Sequence, residues 1–256
     1  MLCTSSVVSI RAQDTAPELI TDRPDRTESS FVVPRGLWQF ELGWGHGEVS
    51  DQEHHIKLDQ VPESLVRYGL LDRLELRIGW NGIQSQSEGD ERLSGAGDTQ
   101  LGVKVGLCDQ NGLKPQAALL AGVSIPSGSQ LFSTRRTDPG IRLAVSNDLT
   151  ERLSLGGNLG VAWETTEEAN GDRDTFPRGL YTLALGISAF AKTGFFFEYF
   201  GDTALNGSSM AANNLDGGVT HLVRPNVQLD FAVGKGLSRE SLDWFFTLGV
   251  SFRLPR

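Results

Sequence analysis

Apolar and polar residues alternate strictly in short stretches along the chain from residue 37 onward. In residues 74–80 the even positions hold leucine, isoleucine or tryptophan, and the odd positions hold glutamate, arginine or glycine. A period of two is typical of β-strands with two unlike faces. The pattern predicts twelve strands, at about residues 38–45, 64–69, 74–80, 98–107, 115–125, 140–147, 152–163, 179–189, 194–200, 215–223, 227–235 and 244–253.

The connections between these predicted strands alternate in length. Short turns follow the even-numbered strands, around residues 71–73, 109–112, 147–151, 191–194 and 224–226. Long polar connections follow most odd-numbered strands, at residues 45–62, 81–96, 126–139, 164–177 and 201–214. Outer-membrane barrels sort their loops in this way, whereas a soluble sandwich has no reason to do so. The sequence therefore predicts an all-β fold, a single closed antiparallel transmembrane β-barrel over residues 37–254 with short periplasmic turns and long extracellular loops, in the outer membrane of a Gram-negative-type bacterium.

Aromatic residues fall at the ends of the predicted strands and on their apolar parity. Amphipathic rings at both headgroup levels form the girdles of membrane barrels, whereas a soluble core would place tryptophan mid-strand more often. The girdle at the short-turn end is predicted to contain Trp38, Tyr68 and Phe252. The long-loop end is predicted to contain Trp44, Trp80, Trp163 and Trp244, and Tyr199 is assigned to the girdles as well.

Composition agrees with this picture and excludes other classes. The chain has 256 residues, a net charge of −9 and 30 glycines, and its mean hydropathy is −0.21. No apolar run approaches the roughly 20 residues that a membrane-spanning helix needs. The acidic balance argues against nucleic acid as a partner, because phosphate contacts need clustered lysine and arginine. Two cysteines, Cys3 and Cys108, support neither a disulfide framework nor a cysteine metal site.

The first residues predict export and a possible plug. Residues 1–13 are similar to the remnant of a truncated signal peptide. Residues 14–36 are predicted to be a periplasmic segment that folds into the lumen as a plug, with a solvated linker as the alternative. The predicted plug residues are the charge-rich run with a stiffening proline, Asp22, Arg23, Pro24, Asp25, Arg26, Thr27 and Glu28.

Charged residues on the parity opposite the apolar face define the predicted lumen. They carry both signs and are Glu41, Arg67, Glu75, Arg77, Asp98, Lys104, Arg142, Glu198, Asp230 and Arg253. Arginine or lysine facing lipid at the midplane would cost about 2 to 4 kcal/mol, so these residues should face a lumen. Twelve strands enclose more space than an eight-stranded barrel and less than a sixteen-stranded porin, which predicts a narrow path or a plug. A selectivity role and a rigid salt-bridged network both remain open.

Catalytic and metal sites are not supported by the sequence. His221 lies on the apolar parity, and neither neighbouring predicted strand offers a serine on that face. His46, His54 and His55 have no fixed ligand spacing, and adjacent histidines point apart on an extended chain. The chain is therefore predicted to be no enzyme, to hold no metal and to need no cofactor.

Several motifs together resemble one known family. Residues 20–29 and 36–43 resemble the opening of a bacterial outer-membrane barrel family labelled after the MetA-pathway of phenol degradation. Further similar segments lie at residues 67–70, 72–77, 95–99, 197–201 and 225–230. The resemblance covers nearly the whole chain after residue 19. It implies a transporter-like outer-membrane channel linked to uptake or efflux of small hydrophobic or aromatic compounds.

Two functional classes follow from the sequence. The first is a channel or transporter for small compounds through a charged narrow lumen; its solute is unknown. The second is a structural barrel whose loops bind lipopolysaccharide or partners without transport. Two acidic predicted loops would share bridging cations with lipid headgroups through Glu48, Asp51, Glu53 and Asp59 in one and Glu164, Glu167, Glu168, Asp172 and Asp174 in the other. Expected partners are outer-membrane lipid, lipopolysaccharide and, during biogenesis, the barrel-assembly machinery.

Overall fold

A computed structural model describes residues 17–51, 54–167, 171–207 and 210–255. The predicted signal remnant and the acidic loop residues Glu53 and Glu168 lie outside these ranges. The described residues form fourteen strands. They are β1 Trp38–Ser50, β2 His55–Leu71, β3 Leu74–Trp80, β4 Ile83–Glu88, β5 Glu91–Ala96, β6 Thr99–Cys108, β7 Gln116–Ile125, β8 Asp138–Asp148, β9 Leu153–Glu167, β10 Arg173–Phe190, β11 Thr193–Ala204, β12 Ala212–Arg224, β13 Val227–Gly236 and β14 Trp244–Leu254.

Twelve of these strands close into an antiparallel barrel. Each pairs with its neighbours along the chain, except that β3 pairs with β6 across the two extra strands. Closure comes from β1, which pairs with β14 on one side and with β2 on the other. A closed ring satisfies the backbone hydrogen bonds of every strand without leaving an edge in the bilayer. The predicted twelve-stranded barrel is confirmed.

The two extra strands correct one of the predicted loops. Residues 81–96 are a hairpin, β4–β5, in which β4 pairs with the outer half of β2. The predicted loop 45–62 is also mostly strand, since β1 and β2 stay paired up to Ser50 and His55. Likewise β9 and β10 remain paired through the predicted loop 164–177, up to Glu167 and Arg173. Backbone hydrogen bonds hold these strands together beyond the lipid-facing band. The sequence does not reveal them there, because both faces of a water-exposed strand can be polar.

The two faces of the barrel follow the alternation of the sequence. In β13, Asp230 and Ala232 are buried, whereas Phe231 and Val233 between them are exposed. The same holds in β9, where Asn158 is buried and Leu159 is 68% exposed. An exterior of exposed leucine, valine and phenylalanine is favourable only against an apolar solvent, because each buried CH₂ contributes about 0.8 kcal/mol. The exterior is therefore suited to lipid.

The short turns lie where the sequence predicts them. They join β2 to β3, β6 to β7, β8 to β9, β10 to β11 and β12 to β13. Gly112 has a φ of 59° in the turn after β6, a left-handed conformation that glycine adopts without steric cost. Cys108, the last residue of β6, is a free thiol.

Residues 17–36 precede β1 and have no helical or long strand structure. Their backbone pairs with the barrel at one isolated β-bridge, between Arg35 and Gly69. Buried positions along the segment include Leu19 and Val33, which are 4% and 2% exposed. We name residues 17–36 the lumen segment.

No helix in the described part of the chain is long and apolar enough to cross a membrane.

Candidate functional site: the barrel lumen

The lumen segment lies inside the barrel and contacts its inner wall through Asp22. One carboxylate oxygen of Asp22 lies 2.6 Å from Arg77 Nη1 and 3.2 Å from Arg67 Nη1. Lys104 Nζ is 3.1 Å from both oxygens. Because β2, β3 and β6 are neighbours in the barrel, their inward positions bring these three cations to one carboxylate. Asp22 therefore places a negative charge among three cations that would otherwise repel one another.

Arg67 organises the carboxylates on the same wall. Its Nε donates to Glu75 Oε1 at 2.8 Å, and its Nη1 donates to Glu41 Oε1 at 3.0 Å. Its Nη2 also donates to the carbonyl of Phe31 in the lumen segment at 3.0 Å. Arg67, Glu41 and Glu75 are each at most 1% exposed. Charges this deeply buried persist only when they are paired and hydrogen-bonded, since removing one partner leaves an uncompensated buried charge.

On the adjoining wall, from β13 and β14 to β2, the anchor is Arg23. Its guanidinium donates to Glu63 at 3.0 Å, to Asp230 at 3.2 Å and to Thr247 at 2.6 Å. The barrel wall beneath the guanidinium has a glycine at position 43. A Cβ atom at Gly43 would lie 2.2 Å from Arg23 Nη1, too close for a side chain to fit. The absence of side chains there lets the arginine lie flat against the strands. Arg23 and Asp22 together hold the segment against one continuous stretch of wall, from β13 through β14, β1, β2 and β3 to β6.

The next part of the segment is anchored to β9 and β11. Glu198 accepts hydrogen bonds from the backbone of Arg26 at 2.7 Å and from Thr27 Oγ1 at 2.5 Å. Asn158 makes a two-way contact with Glu28, accepting from its N–H at 2.7 Å and donating to its carbonyl at 2.9 Å. These bonds satisfy backbone groups that have no sheet partner, which explains how an irregular segment is held inside a barrel.

At the short-turn end, the segment borders a cavity. Arg253 Nη1 donates to the carbonyl of Glu18 at 2.9 Å, and Gln228 donates to Thr21 Oγ1 at 2.9 Å. A cavity of about 500 Å³ opens beside these contacts. Its lining includes Glu18, Leu19, Arg152, Lys192 and Thr220. The segment thus occupies the centre of the lumen and leaves space at one side of this mouth.

The ten charged residues predicted for the lumen have different environments. Eight of them contact the lumen segment directly: Glu41, Arg67, Glu75, Arg77, Lys104, Glu198, Asp230 and Arg253. Arg142 approaches it only at 3.8 Å, from Glu28. Asp98 instead accepts from the backbone of Gly128 at 2.8 Å and Thr134 at 3.0 Å, which fixes the loop between β7 and β8.

The predicted plug residues also differ in their contacts. Pro24 is buried. Asp25 lies near the carboxylates of Glu198 and Asp216, a repulsive arrangement. The side chain of Arg26 is 59% exposed. Asp22, Arg23, Thr27 and Glu28 make the contacts that hold the run in place.

Neutral polar residues of the wall were missed by sequence reasoning that followed charge. Asn158, Ser146, Thr182, Gln39 and Gln228 all bind the segment. Their signal was present, because each has the inward parity of its strand. Glu63 was missed for another reason: it lies where the sequence predicts the edge of a loop, and the structure has strand β2.

The predicted girdle residues lie at the two ends of the barrel exterior. Near the short turns, the ring of Trp38 lies 4.5 Å from that of Tyr68, and Phe252 stacks on Phe40 at 5.1 Å. At the other end, indole nitrogens donate to strand-end groups: Trp44 to Asp59 at 3.1 Å, Trp80 to Gly97 at 3.2 Å and Trp244 to Glu48 at 3.1 Å. Tyr199 donates to Asn213 at 2.5 Å, and Trp163 is 41% exposed.

Histidines outside the lumen pair with carboxylates. His46 contacts Asp59 at 2.9 Å, His55 contacts Glu48 at 3.1 Å, and His54 contacts Glu88. The hydrogen bond to Glu88 raises the pKa of His54, and the hydrogen bond from His55 lowers the pKa of Glu48. Over the described ranges, no three metal-ligating side chains converge. His221 contacts Thr193 at 2.9 Å on the outer surface.

Acidic residues of the predicted loops are largely paired on strand ends. Glu164 lies 3.2 Å from Arg178 Nε, and Glu167 lies 2.6 Å from Arg173. Glu48 and Asp59 bind the histidines and indoles described above. These carboxylates are therefore less free to bind bridging cations than residues of an open loop would be.

A closed antiparallel ring with an apolar exterior and a charged, occupied interior defines the class of outer-membrane β-barrels. Within that class, the chain belongs to the family described as "Putative MetA-pathway of phenol degradation", whose model matches residues 21–254. No curated protein matches the chain.

Solved structures of outer-membrane channels share the fold. An outer membrane channel from Pseudomonas putida F1 has a TM-score of 0.68 at 14% identity, covering 87% of this chain and 97% of that one. The NanC porin has a TM-score of 0.53 at 13% identity, covering 84% and 98%. The CymD monoaromatic hydrocarbon channel has a TM-score of 0.50 at 10% identity, covering 86% and 88%. At these identities the likeness establishes the fold.

Proposed function

We propose that the protein is an outer-membrane channel for small solutes whose passage is limited by the lumen segment. The observation that carries this proposal is the set of bonds from one segment to opposite walls, with Asp22 on β2, β3 and β6 and with Thr27 and Glu28 on β9, β10 and β11. A solute that crosses the barrel has to pass beside this segment or displace it.

Small hydrophobic or aromatic compounds are the solutes that we propose. Support comes from the family and from the fold shared with a monoaromatic hydrocarbon channel. A twelve-stranded lumen that also holds a segment of chain leaves room for small molecules only. In this proposal the side chains of the wall and of the lumen segment bind some solutes and exclude others. They catalyse no reaction, so we propose that the protein is not an enzyme.

The competing proposal is a structural barrel without transport. It is supported by the density of ion pairs around Arg67 and Asp22, since such a network also stiffens a barrel. In that case the exterior and the paired acidic strand ends would serve only to contact lipid, lipopolysaccharide or partners. A measurement of current separates the two proposals.

The test uses the purified full chain in planar bilayers. We expect discrete current steps smaller than those of an open sixteen-stranded porin measured in the same salt, because the segment narrows the path. Heat-dependent migration on a denaturing gel verifies that the sample is folded. A folded sample that adds no current to the bare bilayer, and lets no small sugar into liposomes, would favour the structural barrel.

A further inference from the structure

Three rows of side chains cross the inner wall from β7 to β10, each made of directly paired residues. The lower row, nearest the short turns, contains Ala118, Ala144, Asn158 and Thr182. The middle row contains Leu120, Arg142, Gly160 and Leu180. The upper row, nearest the long-loop end, contains Gly122, Gly140, Ala162 and Arg178.

The lower row is covered by the lumen segment. Ala118 and Ala144 are 0% exposed and Asn158 is 2% exposed. Asn158 binds Glu28, and Thr182 Oγ1 lies 2.6 Å from Thr27 Oγ1. The segment therefore forms a floor at this level of the lumen.

The middle and upper rows lie above that floor, and their residues are half-buried except Leu120, which is 8% exposed. A Cβ atom built at Gly122, Gly140 or Gly160 has its nearest neighbours in adjoining strands, at 2.8, 3.4 and 2.6 Å. At Gly43, by contrast, the nearest atom belongs to Arg23 of the segment. The nearest atoms to these three positions therefore belong to the wall and not to the lumen segment.

Arg142 is the partly exposed cation of the wall at this floor, and Arg26 of the segment is a second exposed cation, 4.0 Å from Glu63. The side chain of Arg142 is 28% exposed, and its contact with Glu28 spans 3.8 Å. The other oxygen of Glu28 is taken by Arg77 at 2.6 Å.

Arg67, Arg77 and Lys104 are each at most 9% exposed. The two arginines bind three carboxylates each, and Lys104 binds Asp22. Among the described residues, Arg142 has no hydrogen-bond acceptor, although a guanidinium carries five N–H donors.

We propose that Arg142, with Leu180, binds small organic carboxylates that enter from the long-loop end. The proposal rests on the channel function above and deepens it by naming a class of solute. A carboxylate accepts two parallel hydrogen bonds from a guanidinium. Cross-strand neighbours are about 5 Å apart, so Leu180 lies two steps from Arg142. Gly160 lies between them without a side chain, and both Gly160 and Leu180 are half-buried.

The experiment measures block of single-channel current by benzoate added to the long-loop side. Arg142→Gln removes the charge, and we expect the half-blocking concentration of benzoate to rise at least 10-fold. Arg142→Lys keeps the charge without the planar fork, so an intermediate rise is expected. Arg178→Gln is the matched control, because Arg178 is paired with Glu164 and Asp202; its half-blocking concentration should stay within 2-fold of wild type. Benzyl alcohol, which lacks the carboxylate, should block weakly in all variants.

Two outcomes separate this inference from the channel proposal. Current in the wild type with equal benzoate block in Arg142→Gln overturns the inference and leaves the channel standing. No current in the folded wild type overturns the channel, and equilibrium dialysis of labelled benzoate against the protein in detergent then tests the site alone. Binding that is lost in Arg142→Gln supports the site, and binding that is equal or absent in both proteins overturns it.

Discussion

Asp22 forms three ion pairs with the wall, more than any neighbouring residue of the segment. Its side chain is 4% exposed and lies against three cations from three strands. It also accepts from the backbone of Ser29 at 2.8 Å, which folds the segment back on itself. A single carboxylate thus links the conformation of the segment to the charge balance of the wall.

Replacing Asp22 by asparagine should release the segment. The change leaves three buried cations short of one partner, and removing one member of a buried pair costs about 3 to 5 kcal/mol. We expect a folded barrel whose segment is cut faster by a protease added at the short-turn side, and whose conductance is higher. Gel migration, proteolysis and bilayer current measure these effects.

Asp25→Asn is the control for this prediction. Asp25 is three positions away but lies near Glu198 and Asp216, so neutralising it removes repulsion. Its segment should be cut no faster than wild type. Equal loosening in both variants would mean that Asp22 is no special anchor.

His54 allows a pH test at the rim. Its pKa is raised by the hydrogen bond to Glu88. The protonated pair therefore stabilises the contact between the β4–β5 hairpin and the loop after β1. This contribution is fully present at pH values below the unfolded-state pKa of about 6.5. It is lost as the pH rises through the higher folded-state pKa. Following the His54 ring protons by NMR, we expect a titration midpoint above 6.5 that falls in Glu88→Gln. An identical midpoint in both proteins would contradict the pairing.

At this scale the sequence predicts which residues are charged and inward, but not their partners. The contrast between Asp98, which binds a loop, and Asp230, which binds Arg23, cannot be read from alternation. Both have the same residue type and parity. The difference arises from the path of segments that have no periodic pattern.

At the scale of elements, alternation predicts strands well where one face meets lipid. In β3 the predicted and observed bounds coincide at Leu74–Trp80. Outside the apolar band both faces are polar, so the outer half of β2 and the β4–β5 hairpin have no such signal. Their pairing is set by backbone hydrogen bonds, as between Asp59 and Ser85, which sequence patterns do not display.

The face assignment can be tested on one strand. Leu159 is 68% exposed on the outer face of β9, and Ala162 lies on its inner face opposite Gly140. Leu159→Arg should impair assembly, because arginine facing lipid at the midplane costs about 2 to 4 kcal/mol. Ala162→Arg faces the lumen and should assemble normally.

The readout is the folded fraction after refolding into lipid vesicles, taken from the heat-dependent shift in gel migration. The two variants add the same side chain three positions apart, so intrinsic strand propensity is matched. Equal assembly of Leu159→Arg and Ala162→Arg would reverse or remove the proposed lipid face.

For the whole molecule, the central feature is a barrel filled by its own preceding segment. The mixed charges of residues 22–28 and of the wall suggest from sequence that the two are complementary. The route of the segment depends on glycines at Gly43 and Gly249, which make room for Arg23, and on neutral partners such as Asn158. The contribution of these residues is visible only once the fold brings distant strands together. From the sequence alone, a solvated linker therefore remains an alternative to the plug.

The most direct test of this account compares the full chain with a variant that lacks residues 17–34. Both are refolded, verified by gel migration, and measured in planar bilayers at the same salt concentration. The account predicts that the deletion variant still assembles, conducts more current per channel and admits larger solutes. Unchanged conductance and size limit in a folded deletion variant would contradict it.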